Sequence, residues 1–228
     1  MKFTPKINIQ QIYDRFDAPV TAVDCGRMCA PHNPNGKPFC CDICEAVPAA
    51  YHQEWDYLRE HTSLWHVWRG DECAGCSEDT TDLLQETPEH MTLLACQGPE
   101  YCQRQFRALS CRQFPFYPYV TSDYRFLGLS YAWQFESSCW VISNLDAVTE
   151  LYRCEFVAVY DEIFALWQEE FDSYAVYSEE TRAYFAARKR RLPLLHRNGG
   201  FYLISPGSER MRRVSPQHLR RFGPYQQS

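Results

Sequence analysis

Apolar and polar positions divide this chain into a strongly patterned half and a weakly patterned one. Between residues 145 and 172, Val148, Tyr152, Phe156, Val159, Ile163 and Trp167 recur at three- and four-residue steps. That spacing is one face of a long amphipathic helix. Asn144 stands where an N-cap is expected. A second helix is expected from about 178 to 190. Residues 192–204 are two apolar runs around Asn198-Gly199-Gly200. This is a hairpin signal, because Asn and Gly reach positive φ at low cost. Residues 117–142 alternate around Ser122-Asp123 and Gly128 and predict two or three short strands.

Upstream the pattern is weaker. Residues 49–68 read as a helix followed by an aromatic turn, and 80–95 as a helix interrupted near Pro88. Residues 99–110 suit a short helix with Pro99 in its first turn. Residues 25–50, with Pro31, Asn33, Pro34, Asn35, Gly36 and Pro38, carry loop chemistry. The tail from Gly207 is polar and basic and predicts a partly loose segment.

Composition changes this picture in one respect. The 228 residues are 45% hydrophobic and 23% charged, which is globular rather than disordered. The twelve cysteines are the outlier. They make up about 5% of the chain, below the roughly 8–10% of a small disulfide scaffold. Yet eleven of them lie between Cys25 and Cys139. The N-terminus has no apolar signal-peptide core, and no stretch is long and apolar enough to span a membrane. The expected location is therefore the cytoplasm, where clustered cysteines serve as metal ligands or redox groups rather than disulfides. Soft thiolates in sets of four suit tetrahedral zinc or an iron–sulfur cluster. A metal centre would also order the loop-rich stretch.

The cysteines run Cys25-x3-Cys29-x10-Cys40-Cys41-x2-Cys44, then Cys73-x2-Cys76, then Cys96-x5-Cys102-x8-Cys111, then Cys139. Around Cys111 the chain reads RALSCRQFPFYP. Here it resembles the YkgJ-type cysteine-cluster family, a zinc- or iron-chelating domain whose late motif is R-P-x-x-C-R-x-F/Y-P-F. Arg107, Cys111, Arg112, Phe114, Pro115 and Phe116 fit that motif, with Ala108 where proline is usual. The resemblance covers roughly residues 24–142. It implies eight metal-ligand cysteines: Cys25, Cys29, Cys40, Cys41, Cys96, Cys102, Cys111 and Cys139. The opening quartet is stretched between Cys29 and Cys40, and Trp140 replaces the family's proline. The implied cofactor is an iron–sulfur cluster, most simply 4Fe-4S, with zinc as the alternative. The similar cysteine layout of flagellin lysine N-methylases adds an enzyme reading, a cluster-dependent modification of a protein or peptide.

Arg107 and Arg112 flank Cys111, and their guanidinium groups can offset the charge of a thiolate–metal centre or simply form surface ion pairs. Phe114 and Phe116 would shield it from water or simply be core. Cys44, Cys73 and Cys76 fall outside the family pattern. Cys41-x2-Cys44 and Cys73-x2-Cys76 resemble zinc knuckles and form a candidate second metal site. His32 lies in the cysteine loop and is a further candidate ligand. Cys154 reads as a buried core thiol.

The fold class expected is α+β: a loop-rich, metal-stapled cysteine region with short strands, packed on the long helix, the second helix and the C-terminal hairpin. The domain reading is 1–142 for the cysteine region and 143–228 for the helical segment with hairpin and basic tail. Together they are read as one compact unit.

Charge is asymmetric. Residues 182–228 hold eleven Lys/Arg and one acid, Glu209, whereas residues 1–181 are net acidic, giving −6 overall. The basic segment either docks on its own acidic body or meets an acidic partner or nucleic acid. No nucleic-acid motif surrounds Arg188-Lys189-Arg190-Arg191, so the expected partner is a protein or peptide. Metalloprotease, P-loop, dinucleotide and nucleophile-elbow signatures are absent. The leading expectation is an accessory or redox iron–sulfur protein. Its alternatives are the lysine N-methylase-like enzyme, a structural zinc-binding interaction protein, and an exported disulfide-stabilised protein.

Overall fold

Aromatic residues concentrate in the second half of the chain, and it is there that the larger sheet forms. The computed structural model describes residues 5–72 and 77–226, with backbone only for 77–81. The fold is mixed helix and antiparallel sheet, in agreement with the α+β expectation. It divides into two compact units: residues through 14 with 26–113, and 15–25 with 114–228.

The first unit holds helices α1 (Ile9–Arg15) and α2 (Cys25–Cys29), except for their boundary residues Arg15 and Cys25, together with α3 (His52–His61), α4 (Ser77–Glu86) and α5 (Leu109–Gln113). Its strands are β1 (Ala49–Tyr51), β2 (Trp65–Val67) and β3 (Met91–Cys96), paired antiparallel in the order β1-β3-β2. The aromatic turn expected near 65–68 is strand β2. The helix expected to resume after Pro88 is instead β3, whose Leu93, Leu94 and Ala95 are buried. The short helix expected at 99–110 is two 3-10 turns, Pro99–Tyr101 and Arg104–Phe106, followed by α5.

The second unit holds a five-stranded antiparallel sheet in sequential order: β4 (Phe116–Val120), β5 (Phe126–Tyr131), β6 (Leu192–His196), β7 (Phe201–Ile204) and β8 (Met211–Val214). It also contains α6 (Trp140–Ser143), α7 (Glu150–Leu166) and α8 (Gln168–Ala187). The boundary falls at 113/114 rather than at the expected 142/143. The reason is that β4 pairs with β5, and β5 pairs in turn with β6, 61 residues further along the chain, with Leu129 opposite Leu195.

The predicted apolar face of α7 is the buried one, with Tyr152, Phe156, Val159, Ile163 and Trp167 at most 3% exposed. The cap differs. Thr149, not Asn144, accepts from the Tyr152 N–H and starts the helix, while Asn144 precedes a 3-10 turn. Trp167 then takes an extended conformation and a separate helix begins at Gln168, ten residues before the expected start. The hairpin around Asn198-Gly199-Gly200 forms as expected, with φ near +90° and +85° at the two glycines. The tail is not loose: it supplies β8 and buries Phe222 and Tyr225. Cys154 is exposed on α7, so it is not the core thiol expected, because the three- and four-residue steps of the buried face pass it by. No helix among the described residues is long and apolar enough to cross a membrane.

Candidate metal centre

A glycine and two tight turns begin the candidate site. β3 ends in Cys96, and Gly98 follows with φ near +116°. That φ strains any residue with a side chain, although the group a Cβ would meet at 2.8 Å, the exposed Glu100 carboxylate, is free to move aside. The 3-10 turns after it carry Cys102, and α5 presents Cys111. On the facing side, Pro38 leads into the 3-10 turn Phe39–Cys41, which presents Cys40 and Cys41. All five cysteines line one pocket with Lys37, Arg107 and Trp65. It contains about 730 Å³ of empty space, part of it open to solvent.

The loop bearing Cys40 and Cys41 is ordered by a group that the sequence did not single out. The Asp42 carboxylate accepts from Asn33 Nδ2 (3.0 Å), Asn35 Nδ2 (2.8 Å) and the Cys44 N–H (3.2 Å). Burial works against its charge, but these three donors hold its pKa below the usual carboxylate value. The stretch with the least regular structure thus has a protein-made anchor.

Glu54 plays the same part on the opposite side. It is 1% exposed on α3 and accepts from the Leu109 N–H at 2.6 Å, the first residue of the helix that carries Cys111. The Tyr13 hydroxyl donates to it at 2.6 Å and the Tyr51 N–H at 3.3 Å. Burial raises the Glu54 pKa despite these donors and despite Arg112. Tyr13 is pushed far above its usual range by burial and then by Glu54.

The two arginines of the late motif separate in role. Arg112 does not face the thiols. Its donors reach the carbonyls of Arg107 (2.9 Å), Tyr13 (3.2 Å), Arg104 (3.2 Å) and Gln105 (2.8 Å), and its guanidinium lies 4.2 Å from the Tyr13 ring centre. It clamps the 104–107 segment. Arg107 lines the pocket and donates to the Cys111 carbonyl at 3.2 Å. Burial opposes its charge, yet Cys111, Cys40, Cys102 and Cys41 together raise its pKa. Phe114, half-buried, packs edge-on to Phe135, 4.8 Å between ring centres, and Phe116 is buried in β4; both belong to the second unit.

Burial pushes the Cys111 thiol up to about 12, partly offset by Arg107. Cys96 and Cys102 are raised as well, first by burial; the Gly98 N–H bonded to the Cys96 sulfur pulls the other way. A metal would have to displace protons from these thiols. The donor set fits a soft metal: five sulfurs, a buried guanidinium to balance charge, and a backbone N–H on one sulfur. Cys40 and Cys41 set their sulfurs 3.9 Å apart. Among the described residues, no three His, Cys, Asp or Glu side chains are gathered tightly enough to hold an ion directly.

Of the eight cysteines implied as ligands, the pocket therefore brings five together. Cys29 is buried in the same unit, donating to the Gly26 carbonyl at 3.6 Å, and Cys25 and Cys139 belong to the second unit. All eight, and Cys154, lie outside any disulfide. Cys44 is disulfide-bonded, which withdraws its sulfur from ligation while that bond stands. Cys73 and Cys76, the rest of the candidate second site, lie outside the described residues. His32 sits at the end of the 3-10 turn that follows α2 and is not among the pocket-lining residues. No protein-family model, curated protein or solved structure matches the chain.

Proposed function

We propose that the thiol pocket of the first unit holds an iron–sulfur cluster, most simply 4Fe-4S, and that the protein has an accessory or redox role in the cytoplasm. The observation that carries this reading is the convergence of Cys40, Cys41, Cys96, Cys102 and Cys111 on one pocket beside Arg107. Four thiolates are what a cuboidal cluster needs. They come from separate elements around an open space rather than from one tight knuckle, which favours a polynuclear centre over a single ion. When bound, the cluster would supply one-electron exchange. Arg107 would balance its negative charge, the Gly98 N–H would stabilise the Cys96 sulfur, and Trp65 would limit water.

Structural zinc is the second reading, and one distance favours it. Two thiolates on one tetrahedral zinc at about 2.3 Å stand roughly 3.8 Å apart, close to the 3.9 Å between Cys40 and Cys41. The enzyme reading, modification of a protein or peptide in the manner of a lysine N-methylase, rests on the family resemblance alone.

Visible absorption of protein purified without oxygen separates these readings. The cluster predicts broad sulfur-to-iron charge-transfer bands that vanish in Cys111→Ser and persist in Cys154→Ser. A colourless wild-type protein containing zinc would replace the first reading with the second.

A further inference from the structure

The basic C-terminal segment is only partly used within its own unit. Arg182 pairs with Glu209 (3.1 Å), Arg190 with Glu136 (2.6 Å) and Arg197 with Asp161 (2.6 Å). Glu209, the segment's one acid, is taken up further by Tyr119 and Ser122. Three of the other basic residues stand on β8 or immediately before it. Arg210, Arg212 and Arg213 are exposed, and among the described residues none has a carboxylate partner.

β8 is also the last strand of its sheet, with β7 on one side and, among the described residues, no strand on the other. Arg212 pairs with Leu203 and Arg213 with Tyr202, and the Ser205 N–H bonds the Arg210 carbonyl. That parity turns the backbone N–H and C=O of Met211 and Arg213 outward, away from β7. Arg210 and Arg212 lie on one face, and Arg213 lies on the other, close against the β6–β7 turn at Gly200. An open backbone edge and three unpaired cations thus occupy the same four to five residues.

Charge on an edge strand guards against self-association, and lysine is the usual guard. Here the choice is different: ten of the eleven basic residues in 182–228 are arginine. Arginine presents a planar fork that grips carboxylates in pairs and is the cation enriched in protein interfaces, where lysine is depleted. A row of arginines repels a second copy of itself while matching a strand of opposite charge. Stacking aromatics, which single-stranded nucleic acid requires, are missing from β8; its exposed apolar side chain is Met211.

We propose that the free edge of β8 receives an extended acidic segment of a partner protein, which pairs with the outward backbone groups of Met211 and Arg213 and sets its carboxylates against Arg210, Arg212 and Arg213. This is β-strand addition, with main-chain bonds giving affinity and side chains giving selectivity. It does not depend on what the thiol pocket holds.

Fluorescence anisotropy of the full chain with a labelled peptide of alternating Glu and Thr tests it at physiological salt. Binding is expected to weaken by about tenfold or more when Gln replaces Glu, when one edge of the peptide backbone is N-methylated, and in Arg210→Glu/Arg212→Glu protein. The two peptide changes use wild-type protein, so the result does not hang on how the variant folds. Equal binding of the N-methylated peptide would mean charge without strand pairing and would overturn the proposal. So would tighter binding of a single-stranded thymidine oligomer of similar length, or no binding of the Glu-Thr peptide.

Discussion

At the scale of single residues, the site is governed by groups that no pattern announces. Glu54 and Asp42 are ordinary acids in the sequence, and only tertiary structure makes them hubs. Glu54 is expected to make stability depend on pH. Its folded pKa is raised, so its contribution is fully present below the unfolded value of about 4.5 and is lost as pH climbs from there through the folded value. Melting temperature followed against pH should therefore fall less steeply in Glu54→Gln than in wild type; parallel curves would show that burial does not shift this group. The motif arginines make opposite predictions. Arg112→Gln strips donors from four backbone carbonyls and should destabilise the fold by roughly 3 kcal/mol, measured by denaturant unfolding. Arg107→Gln should leave folding nearly intact but shift the reduction potential of a bound centre to more negative values, because a cation that favours the reduced form is lost. That both arginines flank Cys111 was plain in the sequence. Their division of labour was not, since only the fold turns one toward the thiols.

Elements were legible in proportion to their periodicity. The buried face of α7 was plain because five large apolar side chains recur at helical steps. Its end was not, because neither proline nor glycine marks the break at Trp167; the chain changes direction through an extended residue that is itself 3% exposed. The cap was misplaced for a related reason: Asn144 and Thr149 both suit the role, and a 3-10 turn separates them. Thr149→Ala should cost about 1 kcal/mol. β8 escaped notice because an arginine-rich edge strand has no alternation of apolar and polar residues. The close approach of β5 to β6 was marked only by a glycine. Gly128 has φ near +140°, and a Cβ there would lie 2.2 Å from the Leu195 carbonyl oxygen. Gly128→Ala should destabilise the second unit by about 3 kcal/mol or more, read by thermal unfolding.

Over the whole molecule, the cysteine count was visible from the start, but its spatial sorting was not. The five pocket thiols span residues 40 to 111 and come together through the three-stranded sheet and the turns after β3. The two-unit division likewise depends on a ladder between strands 61 residues apart in the chain. If the pocket is a metal centre, removing the metal should loosen the first unit, with faster amide exchange in β1–β3 and α5 and unchanged exchange in β4–β8. The most direct test of the central claim is the iron, acid-labile sulfide and zinc content per chain, measured on protein purified and reconstituted without oxygen. A 4Fe-4S centre predicts about four irons and four sulfides per chain, with loss in Cys111→Ser and retention in Cys154→Ser. A folded wild-type chain that takes up no iron under those conditions would contradict it.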